Sequence, residues 1–531
     1  MDLGSALSIA SSGLNGIEYQ YSVVSQNVAN SSTTGYVSES ASVTSAVANN
    51  QGTGVRIGQT VLNVSPYLQS SLYTQNAKVS ALTASSNSLS AVSSVQGSTS
   101  ADSGSTNTLS DALGNVQTAL TSLTSTPLES SAQTAVITAA TSLTDTIHTL
   151  ASTYTAQRQT AEDTIVSTVS TINQNLTQIG QLSKQIMALK AVGSDTADLE
   201  NSRLEVMNDL SSEIGVKFTE TSKGDMVVTT EDGTKLPTRP DQIGLNDNTQ
   251  TLPSNTWPLS ATNGSTASTT ITDNMYYDSS DPTNSAIAGI TVADGTTSTS
   301  TTDITSHLTS GTLGANITLR DTTYPTMQAQ LNAFSTTLIN RFTAAGMSLF
   351  TSSSGSSVIS TTATGSSSEQ TNLASGITVN STYSDTPSDL SPSGSTTTIT
   401  NVLSTTFGTS SSDVSGSTTL SDGTVVSLDA PTSNLGPSGS LSTGYSATQG
   451  LVALATSLTS NQGATISTAS TNLTYATAVQ TTLSAKVTSV SGVDVNTEMS
   501  KIVALQNAYT ANAKIISSVQ TMFSALLDAI N

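Results

Sequence analysis

The residue types that most often carry enzyme chemistry are scarce in this chain of 531 residues. Its two histidines are His148, in a helical stretch, and His307, in a Ser/Thr-rich segment, and neither local sequence offers the carboxylate and nucleophile that catalysis needs. The chain has no cysteine, so thiolate zinc sites, disulfides and thiol catalysis are excluded. The Asp-Gly pairs that begin at Asp232, Asp294 and Asp422 lack further acidic ligands and indicate hairpin turns instead of calcium loops. We predict no catalytic residue, no cofactor, no metal and no enzymatic activity.

Charge and hydropathy restrict the possible partners. The formal net charge is -21 and the pI is near 4.1, which argues against nucleic acid and against an anionic membrane surface as partners. No stretch has the length of a transmembrane helix, and residues 1–30 lack the basic and apolar regions of a cleaved secretory signal. We therefore expect that, if the protein leaves the cell, its export route does not read such a signal.

The two chain ends share apolar residues at steps of three and four, the spacing of a coiled-coil seam. In the N-terminal helix the seam consists of Leu3, Leu7, Ala10, Leu14, Ile17, Tyr21, Val24 and Val28. In the C-terminal helix it consists of Val495, Met499, Ile502, Tyr509, Ala513, Ile516, Phe523, Leu527 and Ile530. Packing on a globular core would explain either helix alone. Two matched stripes at opposite ends favour pairing of the two helices, with room for further subunits against the pair.

Between these ends, the hydrophobic period changes more than once. The segments predicted to be mainly helical are 67–92, 109–214 with a break at Thr126-Pro127, 327–350 and 448–491. We expect Gly215 to be the C-cap of the helix that starts at Asp198. Strands are predicted for 216–218 and 226–230, which form a β-meander, and for 287–292 and 315–319. Residues 351–445 are rich in Ser, Thr and Gly, and they indicate either short strands and loops or disorder.

This order predicts a mainly α fold with β-rich insertions, in nested domains. Residues 1–40 and 492–531 would form a terminal domain in which the end helices pair as an antiparallel coiled coil. Residues 41–215, 322–350 and 446–491 would form a helical-bundle domain. Residues 216–321 would be a β-rich insertion, and residues 351–445 a Ser/Thr-rich outer insertion of β strands or loops.

Short motifs at both ends resemble the flagellar rod, hook and hook-associated axial proteins. The N-terminal motifs are Ser12-Gly13-Leu14-Asn15, Asn27-Val28-Ala29-Asn30 and Thr33-Thr34-Gly35-Tyr36, and the C-terminal ones lie at 491–495, 506–509 and 523–527. The helical segments 172–216 and 331–346 are similar to the hook-associated member at the hook–filament junction. Many family members have proline where this chain has Thr34, but Gly35 alone can supply a turn with positive φ.

The resemblance implies a structural subunit of the bacterial flagellum that joins the hook to the filament outside the cell. It further implies export by the flagellar type III apparatus without a cleaved signal peptide, followed by assembly through the terminal helices. The implied partners are further copies of the chain in a ring or helix, the hook protein, the second hook-associated junction protein and an export chaperone. The expected assembly interface is Leu3, Leu7, Leu14, Ile17, Tyr21, Val24, Val28, Met499, Ile502, Tyr509, Ile516, Phe523, Leu527 and Ile530.

Two alternatives remain at this point. A hook or distal rod subunit would have the same ends, although the helical segment 172–216 argues against it. A secreted β-rich adhesin would explain the Ser/Thr-rich insertions, although the paired terminal seams argue against it.

Overall fold

The structure is a computed structural model that describes residues 3–33, 35–48, 51–97, 108–261, 268–360, 371–408 and 414–529. The N-terminal helix α1 runs over Leu3–Ala29. It is followed by β1 (Glu39–Ser40), β2 (Val43–Ala48), β3 (Gln51–Ile57) and β4 (Val61–Leu62). Strands β2 and β3 form an antiparallel hairpin with a register shift after Ala46, and β1 pairs with β4 at its base. Gly35 has a φ of 82°, as predicted for the turn after α1, whereas Thr34 lies outside the described residues.

Four helices follow as predicted. They are α2 (Pro66–Gln96), α3 (Leu109–Ser125), α4 (Ser130–Ala191) and α5 (Ala197–Glu213). The Thr108 hydroxyl and the Asp111 carboxylate form a capping box that starts α3, and the predicted break at Pro127 separates α3 from α4. Helix α4 has 62 residues, about 93 Å at 1.5 Å per residue, and is the axis on which the other layers pack.

The predicted meander is present as β5 (Val216–Glu220), β6 (Met226–Thr230) and β7 (Lys235–Leu236). A second sheet consists of β8 (Leu259–Ser260), β9 (Thr291–Ala293) and β10 (Thr301–Asp303), in the order β10-β9-β8. These strands are short and antiparallel, so each sheet is stabilised by burying one face against α4 and α5 instead of by its own size.

The chain then returns to helix in α6 (Gly311–Thr318) and α7 (Tyr324–Ala344), joined by a π-helical segment at Leu319–Thr323. Short elements follow: β11 (Phe350–Thr351), α8 (Leu373–Gly376), β12 (Thr378–Val379), α9 (Ser381–Asp385), α10 (Thr397–Asn401), β13 (Ser417–Thr419) and β14 (Val425–Ser427). Two long helices, α11 (Leu451–Ser491) and α12 (Val495–Asp528), complete the chain. The fold is therefore mainly α with small β-rich insertions, as predicted.

Two hydrophobic cores lie along α4. One surrounds its first half and combines α3, α7, the start of α11 and the 350–407 region. The other surrounds its second half and combines α5, α6 and both three-stranded sheets. Because α4 contributes to both cores, this one continuous helix fixes the positions of the two cores relative to each other.

Buried polar side chains connect the helices within these cores. The Gln462 amide oxygen accepts hydrogen bonds from Gln96 and from the Tyr154 hydroxyl, both at 2.7 Å, and its amide nitrogen donates to Gln330 at 3.0 Å. The Arg320 guanidinium donates to Glu162 at 2.7 Å, and both side chains are fully buried. Such groups are tolerated in a core only when they are hydrogen-bonded, so these contacts specify which helices are neighbours.

Four sequence predictions need correction. Residues 41–65, assigned to the helical domain, contain the β2–β3 hairpin, because their β-branched residues pack on α1. Residues 315–319, predicted as a strand, belong to α6 and the π-helical segment, so the β-rich insertion ends before residue 311. Gly215 is not a left-handed C-cap. It is required because a Cβ there would lie 2.8 Å from the Ser310 Cβ.

The fourth correction concerns residues 351–445, which are not a separate outer insertion. Most of their buried apolar residues share one core with α3, α4 and α7. These residues are Ile359, Leu373, Ala374, Ile377, Leu390, Ile399, Val402, Phe407 and Ala430. Arg341 of α7 reinforces this packing by donating to the backbone oxygens of Leu428, Gln449 and Val414 at 2.8, 2.7 and 3.0 Å. The sequence pattern did not reveal this packing, because these apolar residues occur singly among Ser and Thr without a helical or strand period.

Candidate assembly interface

Helices α1 and α12 lie side by side and run antiparallel. Asn27, near the end of α1, donates to the Glu498 carboxylate in the first turn of α12 at 3.4 Å. Gly13, in the first half of α1, lies beside Asn512, halfway along α12, with 3.5 Å between a Cβ built at Gly13 and the amide oxygen. Asp494 caps α12 by accepting hydrogen bonds from the backbone N–H groups of Asn496 and Thr497. A hydrogen bond from the Thr497 hydroxyl, together with these two backbone bonds, lowers the pKa of Asp494.

The side of α12 that faces α1 differs from the predicted seam. Only Glu498 and Val519 are buried among the described residues of α12, and between them Ile502, Leu505, Ala508, Asn512 and Ile516 are partly buried. These positions are spaced by three or four residues and include two polar residues. The predicted seam shares Ile502 and Ile516 with this side, and its other residues lie at neighbouring positions of the same helix.

The predicted interface residues consequently fall into several groups. Val24 is buried, and the partly buried ones are Leu3, Leu7, Leu14, Ile17, Val28, Ile502 and Ile516. The exposed ones are Tyr21, Met499, Tyr509, Phe523 and Leu527, with between 39% and 59% of each side chain accessible. Ile530 lies outside the described residues.

The exposed side of α12 is strongly apolar. Its large exposed side chains are Val495, Met499, Val503, Tyr509, Ile515, Met522, Phe523, Leu526 and Leu527. We call this set the outer face of α12. At about 100° per residue, these side chains lie on several sides of the helix and not in one row. Single exposed apolar residues are ordinary, but nine large ones on one helix of 34 residues are typical of an element that packs against other chains.

A groove lies between α1 and α12. Its walls include Ile17, Glu18 and Tyr21 of α1 and Leu505 and Tyr509 of α12, and its volume is about 710 Å³. Glu18 is the one charged residue among the lining side chains. The groove can accept an apolar side chain, with a cation at its rim.

On its other side, α1 supports the β2–β3 hairpin. A Cβ built at Gly16 of α1 would lie 3.1 Å from the Val55 side chain and 3.6 Å from Val43, so the glycine permits close contact between helix and hairpin. The Ser12 hydroxyl accepts from the Val55 N–H at 3.2 Å. Since an isolated two-stranded ribbon is marginally stable in water, α1 is what holds this hairpin in place.

Asn27 and Asn201 form a polar joint between the terminal helices and the helical domain. Asn27 is fully buried, donates to the Glu39 carbonyl and accepts from the Glu39 N–H, both at 2.8 Å. Asn201 of α5 does the same with Val37, at 3.1 and 3.0 Å, and also donates to the Glu39 carboxylate at 2.9 Å. The Ser38 N–H donates to the Ser491 carbonyl at 2.7 Å. We call residues 36–39 and these four partners, Asn27, Asn201, Ser491 and Glu498, the joint.

Acidic side chains surround the joint. Gln26 donates to Asp198 of α5, and Thr60 donates to Asp195. Burial raises the pKa of the Glu39 carboxyl, the hydrogen bond from Asn201 opposes this shift, and the nearby Asp198 and Asp195 carboxylates add to it. Burial also raises the pKa of the Tyr36 hydroxyl, which donates to Asn27 at 3.2 Å.

In the sequence, the motifs that contain Asn27 and Tyr36 served only to indicate the family resemblance. The structure shows that they connect α1, α5, α11 and α12. The partners Asn201, Ser491 and Glu498 are far away in sequence and carry no local pattern. The repeated Asn in 27–30, next to a turn, was the only signal available.

The two histidines have structural surroundings. A ring nitrogen of His148 lies 2.8 Å from the Ile377 carbonyl, and His307 pairs with Asp232 at the protein surface. Hydrogen bonds from Thr230 and His307 lower the pKa of Asp232. Within the described ranges, no three His, Asp or Glu side chains are grouped so as to hold a metal ion. None of the described helices has the length and hydropathy that a membrane crossing requires.

Two models of flagellar protein families match parts of the chain. Residues 99–358 match the model of the flagellar hook-associated protein FlgK helical domain, and residues 486–529 match that of the flagellar basal body rod FlgEFG protein C-terminal region. A search of curated proteins gives no match. A solved structure of the flagellar hook junction protein FlgK from Burkholderia pseudomallei aligns with 20% identity and a TM-score of 0.40, over 54% of this chain and 45% of that one.

The paired terminal helices and the match at residues 486–529 define a flagellar axial protein. The match over residues 99–358 covers α3 to α7, the helices on which both cores are built. The chain belongs to the FlgK family of flagellar hook-associated proteins.

Proposed function

We propose that this protein is a structural subunit that joins the flagellar hook to the filament and assembles through its terminal helices. The observation that carries the proposal is the outer face of α12, nine large exposed apolar side chains on a helix that packs mainly against α1. Burying these side chains against neighbouring copies would stabilise the assembly by about 25 cal/mol per Å² of apolar surface removed from water.

Charge supports self-association at this surface. The charged residues of α1 and α12 are Glu18, Glu498, Lys501, Lys514 and Asp528, a net charge of -1 out of -21 for the chain. Copies of an acidic protein repel one another over most of their surface. The terminal helix pair is nearly neutral, so copies can meet there with little repulsion.

In the assembled state we place α1 and α12 nearest the axis, the helical domain next, and the sheets of residues 216–310 outward. The subunit would leave the cell through the type III apparatus with the help of an export chaperone. The outer face of α12 would then pack against further copies of the chain, the hook protein and the second junction protein. If the terminal helices fold only on assembly, the outer face of α12 is not exposed as a folded surface during transit.

The family matches argue against the two alternative functions, a hook or distal rod subunit and a secreted adhesin. A hook or distal rod subunit would share the C-terminal match, but the match to the FlgK helical domain over residues 99–358 favours the junction role. A β-rich adhesin is disfavoured because both matched regions are flagellar. A structural role also accounts for the hydrogen-bonded surroundings of both histidines, so we assign no enzymatic activity.

Immunogold electron microscopy on cells with an epitope-tagged copy tests the proposal. The expected result is gold at the hook–filament junction, and hooks without filaments in a strain that lacks the protein. A matched strain that expresses the chain truncated before Val495 should secrete the truncated chain but not incorporate it into hooks. Gold spread over the cell surface with normal filaments in the deletion strain would instead support the adhesin.

A further inference from the structure

We propose that the groove between α1 and α12 receives the β2–β3 hairpin of a second copy of this chain, with Arg56 of the hairpin against Glu18 of the groove. This inference rests on the proposed function and names the contact through which copies would meet.

The hairpin presents an unused cation. Arg56 is exposed, and it is the first Lys or Arg in the sequence, the next being Lys78. Val55 faces α1, and side chains alternate along a strand, so Arg56 and its cross-strand partner Thr44 lie on the opposite face of the hairpin. Val47, on the same hairpin, is 64% exposed. We call the face with Thr44 and Arg56 the outer face of the hairpin.

The groove presents the complementary charge. Glu18 is the charged residue in a lining that is otherwise apolar or neutral. Among the residues that the structure describes, neither Glu18 nor Arg56 forms an ion pair. Each copy therefore carries both halves of one complementary contact, an apolar groove with an anion and an exposed ribbon with a cation.

The geometry of α1 favours contact between copies over contact within one. Gly16 faces the hairpin, and Glu18 follows two residues later, about 200° around a helix with 3.6 residues per turn. The body of α1 therefore separates Glu18 from the hairpin of its own chain. A contact in which different surfaces of identical subunits meet repeats from copy to copy and builds a ring or a helix.

The absence of cysteine allows a clean cross-linking test. Ser22 lines the groove, and both Ser22 and Thr44 are exposed and small, so Ser22→Cys and Thr44→Cys are conservative. We expect hooks isolated from a Ser22→Cys/Thr44→Cys strain to give a ladder of disulfide-linked multimers after oxidation. Each single variant should give no ladder. The control Ser11→Cys/Thr44→Cys should also give none, because Ser11 is exposed on α1 outside the groove.

Four results would overturn the inference. A faster-migrating monomer without a ladder would place the contact within one chain. A ladder from Ser22→Cys/Met522→Cys but not from Ser22→Cys/Thr44→Cys would assign the groove to the C-terminal helix of a neighbour. No cross-link in hooks that contain the protein at wild-type occupancy would leave the junction role standing and remove the hairpin contact. Absence of the unmodified protein from hooks would refute the junction role as well.

A charge exchange provides a second test that does not depend on cross-linking geometry. Arg56→Glu and Glu18→Arg should each reduce incorporation into hooks by about fivefold, the effect of one exposed ion pair at its upper limit. The double variant should restore incorporation, because it recreates the pair with reversed signs. Additive losses in the double variant would contradict the proposed pairing.

Discussion

Asn27 and Asn201 show why the side-chain type matters at the joint. An asparagine amide both donates and accepts, so each of these residues can pair with the N–H and C=O of one backbone residue, as a neighbouring strand would. Aspartate could accept only, and alanine could do neither. The segment 36–39 is thereby held on two sides, and only its last residue, Glu39, also belongs to a sheet, the β1–β4 pair.

Glu39 gives this joint a dependence on pH. Its pKa is raised in the folded state, so its stabilising contribution is complete below the ordinary value of 4.5 and is lost as the pH rises through the folded value. Glu39→Gln keeps an acceptor for Asn201 and removes the charge near Asp198. We expect the amides of Val37, Ser38 and Glu39 to exchange about fivefold more slowly in this variant at pH 7, with no difference at pH 4.

The measurement is hydrogen exchange of these amides, corrected for their intrinsic rates. Glu205→Gln is a matched control, because Glu205 is exposed on the same helix as Asn201. Equal exchange at pH 7 in the wild type and Glu39→Gln would contradict the assigned role of the charge.

Arg341 is the strongest single connection between α7 and residues 351–445. Burial lowers the pKa of its guanidinium to about 10, and three backbone carbonyls accept its hydrogen bonds. Arg341→Met would fill similar space and leave those carbonyls unpaired, so we expect a loss of about 3 kcal/mol in the free energy of unfolding. Urea denaturation tests this, with Lys223→Met, at an exposed position, expected to change stability by less than about 0.5 kcal/mol.

At the scale of elements, long periodic helices were predictable from sequence and polar contacts were not. The seam residues at both ends identified α1 and α12, because apolar residues three and four apart mark a helix face whatever its partner. The side of α12 that faces α1 contains Ile502 and Ile516 of the predicted seam, but it also contains Glu498 and Asn512, which apolar periodicity cannot identify. The hairpin at 43–57 was missed, since its turn lacks a strong Asn-Gly or Asp-Gly signal.

The helices also differ in how firmly each is held. Helix α12 packs mainly on α1, whereas α1 contacts α12, the hairpin and the joint, and residues 172–179 of α4 are part of a core. In the isolated monomer we expect fast amide exchange in α12, intermediate exchange in α1 and slow exchange at 172–179. Slow exchange throughout α12 in a verified monomer would mean that its outer face is already covered.

At the scale of the whole molecule, residues 351–445 bear directly on stability. Sequence composition indicated a Ser/Thr-rich outer insertion, but Phe342, Leu349 and Phe350 are fully buried in the core that these residues complete. Each fully buried side chain of this kind contributes about 1.5–3 kcal/mol, and whole domains are stable by only about 5–15 kcal/mol.

We therefore expect deletion of 351–445 to unfold the region around α3 and α7. Ile516→Asp, a charge on the line of α12 that faces α1, should instead leave this region folded and reduce incorporation into hooks. Circular dichroism and thermal unfolding of both purified variants distinguish these effects. A deletion variant with wild-type helix content and melting temperature would contradict the shared core.

The central claim, assembly through the outer face of α12, is tested most directly by the occupancy of Leu526→Asp in isolated hooks at matched secretion. Leu526 is 54% exposed, so the substitution is harmless to the monomer but places an unpaired charge in any interface built on this face. Val192→Asp is the control, since Val192 is 76% exposed outside the terminal helices. We predict that Leu526→Asp is secreted but absent from hooks while Val192→Asp is incorporated normally. Incorporation of Leu526→Asp at wild-type occupancy would contradict the claim.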